Sequence, residues 1–190
     1  MSRRSLSLAA AVLAGAATLA GVGTGTATAA PAPAATTLAV TTITYDDSRA
    51  AEFKTAVAEG VSALNSKITN VRVVKVSTGR TANVRVIADN GWPRASLGPV
   101  GPSGRGTVYM GRQAVTQGYD PVRIASHEFG HILGLPDRRT GLCTDLMSGS
   151  SAPTSCTNPY PSATEAAQIN SNYSPTLAAA VPDRPLLDAA

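Results

Sequence analysis

Both histidines of this 190-residue chain fall in one run of eleven residues, His127-Glu128-Phe129-Gly130-His131-Ile132-Leu133-Gly134-Leu135-Pro136-Asp137. No other stretch constrains the fold as tightly. Residues four apart stack on one face of a helix, so His127 and His131 can hold one metal ion from successive turns. Glu128 lies about 100° around the helix from His127, within reach of a water on that ion without being a ligand itself. Gly134 then stops the helix, and the chain can fold back to offer Asp137 as a third ligand. Three protein ligands and one open position is the pattern of a catalytic zinc rather than a structural one.

The boundaries of that helix are also legible. Asp120-Pro121 supplies an N-cap carboxylate and a proline at the first helical position. Further along, Ser162-Ala163-Thr164-Glu165 is a capping-box sequence that predicts a final helix to about Tyr173. Between them Cys143 and Cys156, the only cysteines, are most simply one disulfide in an exported chain. Thiolate ligation is the alternative, and it lacks the usual Cys-x-x-Cys pair.

Export is itself an expectation from the N-terminus. Arg3 and Arg4 precede an apolar run from Leu6 to Val22 and then Ala27-Thr28-Ala29, a small-residue cleavage site. The run is too short and too diluted by Gly, Ala and Thr for a membrane anchor. Residues 1–29 are therefore expected to be a signal peptide, compatible with the twin-arginine or the general route. Residues 30–40, rich in Pro, Ala and Thr, read as a pro-segment or disordered lead-in. Removing the signal would leave 14 basic against 12 acidic groups, with no basic run. That balance argues against a nucleic-acid partner.

Ordered structure should begin near Leu38. Alternation through Val40–Tyr45 predicts a strand, and Asp47 or Ser48 can cap a helix with Phe53, Val57, Val61 and Leu64 on its packing face. Val71–Val76 and Val84–Ala88 read as two central strands. Gly91–Gly106 reads as a long irregular loop whose glycines lack the Gly-Lys-Ser/Thr ending of a phosphate site. Thr107–Met110 reads as a short strand suited to a sheet edge, and residues 174–190 as a loosely held tail.

The constellation His-Glu-x-x-His-x-x-Gly-x-x-Asp resembles the snapalysin family of small secreted streptomycete metallopeptidases. The likeness extends to Leu146-Met147-Ser148-Gly149, which matches that family's Met-turn, and to Ser155–Pro161, and covers roughly Thr41 to Tyr173. It implies an α+β, metzincin-like fold: a twisted mixed β-sheet whose edge strand lines the cleft, an active-site helix and a C-terminal helix. It implies zinc on His127, His131 and Asp137, Glu128 as general base, a Cys143–Cys156 disulfide and Met147 as a hydrophobic floor. It also implies a secreted, monomeric endopeptidase acting on proteins or peptides, on the amino side of Tyr or Phe.

Two departures accompany the likeness. Relatives carry a tyrosine two residues after the third ligand, where this chain has Arg139; a guanidinium there could bond an oxyanion, or Tyr160 could serve instead. A family calcium site maps onto Asp120 and Val122, of which Val122 offers only its backbone carbonyl, while Asp120 equally suits the helix cap. A secreted zinc-binding protein without peptidase activity is the rival reading.

Overall fold

Burial alternates along the first strand, β1 (Thr41–Arg49), with Ile43, Tyr45 and Asp47 turned inward. The computed structural model describes residues 40–77, 80–174 and, for the backbone alone, 186–189. The expected signal peptide, and all but the last residue of the expected lead-in, lie outside the described residues. A 3₁₀ turn at Ala51–Phe53 leads from β1 into α1 (Lys54–Asn65). The expected cap at Asp47 or Ser48 is not formed, because β1 runs through both. Asp47 is instead buried and pairs with Lys75 Nζ at 2.7 Å. The predicted packing face of α1 is correct: Phe53, Val57, Val61 and Leu64 are all in the core.

Strands β2 (Val71–Lys75) and β3 (Val84–Asp89) each pair in parallel with β1, one on either side. Thus β2 is an edge strand rather than a central one; its β-branched residues reflect one buried face, not two. Within the expected loop lies a strand, β4 (Arg94–Leu97), antiparallel to β5 (Gly106–Gly111). Since β5 pairs with β3 on its other side, it is interior, not an edge. The tail contributes β6 (Leu186–Ala189), antiparallel to β4, so the mixed sheet runs β2-β1-β3-β5-β4-β6.

Three helices follow β5: α2 (Arg112–Thr116), α3 (Pro121–Ile132) and α4 (Ala163–Asn172). Asp120 caps α3 as expected, its Oδ1 accepting from Arg123 N at 2.8 Å. From Arg123 to Ile132 every residue of α3 is buried. Gly134, at φ +90, ends the helix in the left-handed conformation that glycine adopts without penalty. The helix crosses α1 at Gly60, where a Cβ would stand 2.8 Å from both Ser126 N and Val122 O. Its C-terminal end is joined to the end of β4 by Gly98 N–H to His131 O at 2.7 Å and Val100 N–H to Ile132 O at 2.9 Å. Tyr45 and Phe129 meet edge to face at 5.5 Å between ring centroids, joining β1 to α3 in one core.

Candidate metal centre

Each histidine of α3 has one ring nitrogen engaged by a backbone carbonyl. His127 Nδ1 lies 3.0 Å from Leu146 O and His131 Nδ1 2.8 Å from Leu135 O. A carbonyl only accepts, so both Nδ1 atoms carry hydrogen and the Nε2 atoms face each other at 3.1 Å. Asp137 Oδ1 completes the group, 3.2 Å from His127 Nε2 and 3.5 Å from His131 Nε2. One ligand atom from each residue lies within 4.8 Å of the others, the only such group of three or more among the described residues. Asp137 Oδ1 is buried and makes no hydrogen bond. Lone pairs converging on one buried point are unfavourable until a cation meets them, and two imidazoles with one carboxylate suit zinc.

Burial pulls the His127 pKa down, but the Asp137 and Glu128 carboxylates outweigh it and leave the imidazole raised. Asp137 shows the mirror image. Burial pushes its carboxyl up, and His127, His131 and Arg139 together hold it below the usual carboxylate range. Glu128 is itself buried and lines the same cleft as His127.

Beneath the ligands runs the loop from Arg138 to Cys156, closed by the Cys143–Cys156 disulfide with Cα atoms 5.5 Å apart. Arg138 N–H donates to Met147 O at 2.8 Å, which fixes the segment just beyond Asp137. Met147 is fully buried, and its sulfur lies 2.7 Å from where a Cβ on Gly130 would stand. The methionine therefore packs against the helix between the turns that carry His127 and His131.

Three further residues shape the site in ways the sequence did not show. Glu165 accepts from Leu146 N at 3.0 Å and from Met147 N at 2.8 Å, while also closing its own capping box with Ser162. The capping box was legible in the sequence; the second use of the same carboxylate was not. Arg123, buried in α3, donates to the carbonyls of Cys143, Asp145 and Asn158, and burial pulls its pKa down. Gly149, at φ +54, would place a Cβ 3.2 Å from His127 Cε1 and 3.5 Å from Asp137 Oδ1.

A cleft opens beside His127 and Glu128, walled by Trp92, Pro93, Ala114, Tyr119 and Ile124. Trp92 and Tyr119 meet edge to face at 5.8 Å, and the Tyr119 hydroxyl donates to Ser150 O at 3.1 Å. Arg139 reaches Asp137, with Nη2 3.0 Å from Oδ2. Tyr160 lies with its ring 5.4 Å from Lys67 Nζ and is not among the residues lining the cleft. Asp120 caps α3 through Oδ1, and Val122 O lies against α1 at Gly60.

A family model described as the Streptomyces extracellular neutral proteinase (M7) family matches residues 39–175. The extracellular small neutral protease of Streptomyces caespitosus is 39% identical over 129 residues, covering 68% of this chain and 94% of its own. That of Streptomyces sp. (strain C5) is 38% identical over 143 residues; the match covers 75% of this chain and 61% of the relative. Among solved structures, high choriolytic enzyme 1, a hatching enzyme zinc-protease from Oryzias latipes, matches at TM-score 0.40 and 21% identity, covering 64% of this chain and 60% of that one.

Proposed function

Because the chain belongs to the Streptomyces extracellular neutral proteinase family, we propose that it is a secreted, monomeric zinc endopeptidase with Glu128 as its general base. The observation that carries this reading is the convergence of His127 Nε2, His131 Nε2 and Asp137 Oδ1, with His127 and Glu128 both lining the cleft beside it. When bound, zinc would lower the pKa of the attacking water and polarise the scissile carbonyl. Glu128 would be the group that accepts the proton of the attacking water and passes it to the leaving amine. The carbonyl bonds to Nδ1 keep both imidazoles in the tautomer that presents Nε2.

Selectivity belongs to the cleft. Trp92, Pro93, Tyr119 and Ile124 form an apolar, partly aromatic wall that suits a planar side chain. This supports cleavage on the amino side of Tyr or Phe. Secretion is supported by the names of the relatives as extracellular proteases, and no helix among the described residues is long and apolar enough to cross a membrane. Calcium is not part of the proposal, because only the resemblance points to it: Asp120 Oδ1 caps α3 and Val122 offers no more than a backbone carbonyl.

One observation favours the rival, a zinc-binding protein without peptidase activity: Arg139, standing where the family carries a tyrosine, gives its Nη2 to Asp137 Oδ2. Casein and peptide-library hydrolysis separates the two. Activity should vanish with a chelator, return with zinc and produce new N-termini at Tyr or Phe. Glu128→Ala should abolish hydrolysis while the protein still holds about one zinc per chain. A fully active Glu128→Ala protein would sink the mechanism.

A further inference from the structure

The Arg139 guanidinium is tied to the carboxylate expected to hold the metal. Its Nη2 is 3.0 Å from Asp137 Oδ2, and its Nη1 is 3.5 Å from Ser150 Oγ. Asp137 is thereby used at both ends: Oδ2 meets the guanidinium, and Oδ1 meets the two Nε2 atoms. The backbone enforces this arrangement. Arg138 and Arg139 N–H both point to Met147 O, at 2.8 and 3.4 Å, and Arg139 adopts φ +47. A non-glycine residue takes up that left-handed turn only where its surroundings demand it. Here the turn brings the guanidinium back over the carboxylate two residues earlier.

We infer that Arg139 is a positioning residue for Asp137, holding one carboxylate oxygen so that the other is aimed at the metal point. The inference rests on the zinc reading above. An exposed ion pair contributes little to stability, and the Arg139 side chain is half exposed. Its effect is therefore expected in the metal rather than in the fold. A carboxylate free to rotate must be oriented when the ion arrives, whereas one held by a donor already is. The positive charge also offsets part of the negative charge that an aspartate ligand brings to the centre.

Chelator competition on the metal-free protein tests this directly. Arg139→Met should weaken zinc binding roughly tenfold to a hundredfold, the usual effect of losing a group that orients a ligand. The melting temperature of the metal-free protein should stay near that of the parent, since every variant keeps the same backbone turn. Arg139→Gln retains a donor without the charge and should recover part of the affinity; it also serves if Arg139→Met does not fold. At saturating zinc, kcat should fall only a few-fold. Unchanged zinc affinity in both variants overturns the inference, whether kcat drops, as an oxyanion role would require, or stays put. The underlying site is checked by Asp137→Ala in the same assay. If that variant binds zinc as tightly as the parent, the ligand set is wrong and the inference falls with it. If Asp137→Ala loses zinc while Arg139 variants do not, only the inference fails.

Discussion

At the scale of single residues, the site depends on two glycines whose reasons differ. Gly130 leaves room for the Met147 sulfur, so the methionine can approach the helix between the ligand turns. Gly149 meets a conformational demand as well as a spatial one, since φ +54 and ψ −136 form a pairing essentially confined to glycine. Gly149→Ala should cost about 1–3 kcal/mol through backbone strain. Because its Cβ would crowd His127 and Asp137, it should also weaken zinc binding. Thermal melting and chelator competition read the two losses separately; a variant that melts like the parent and binds zinc equally well would show that the loop adjusts freely. His127, Glu128 and His131 were legible in the sequence because helical spacing brings them together, and Asp137 because Gly134 stops the helix just before it. Arg123 was not, because nothing local indicates that its guanidinium will meet carbonyls contributed from 20, 22 and 35 residues away.

At the scale of elements, α3 was legible from both ends, through Asp120-Pro121 and Gly134, and α4 through Ser162 and Glu165. These are rules of the nearest turn. Strand β4 escaped notice because it is four residues long and lies among Pro93, Gly98 and Pro99, which punctuate it like a loop. Its identity comes from pairing with β5, a partner that local pattern does not reveal. The α1–α3 crossing gives a sharper test. In an exposed helix, glycine to alanine gains about 1 kcal/mol in propensity. At Gly60 the new methyl would stand 2.8 Å from two backbone atoms of α3, which cannot turn aside as a side-chain end can. Overpacking costs about 1–3 kcal/mol and should outweigh the gain. Gly60→Ala should therefore lower stability in denaturant titration and disturb the helix that carries both histidines; a stabilised variant would contradict the crossing described here.

Over the whole molecule, the order of strands was the least legible feature. Composition and alternation identify β1, β2 and β3 as strands, but only long-range pairing puts β1 between the other two and makes β5 interior. The disulfide acts at the same scale. Cys143 and Cys156 enclose Leu146, Met147 and Gly149, so the bridge restrains the floor of the site as well as the unfolded chain. Replacing both cysteines by serine should cost about 3 kcal/mol in the chain-entropy model for a loop of this size. It should also weaken zinc binding, through looser support beneath His127. Equal zinc affinity with and without the bridge would confine its role to stability.

Glu165 gives the molecule a sense of time. Its carboxylate starts the last helix and holds the Leu146–Met147 peptides, and Leu146 O in turn orients His127. The histidine pair emerges from synthesis well before that glutamate does. A chain appearing N-terminus first thus carries His127 and His131 for some 35 residues of elongation before Glu165 arrives. A copy truncated before Glu165 lacks the carboxylate that holds the Leu146–Met147 peptides, and with it the support behind the carbonyl that engages His127 Nδ1.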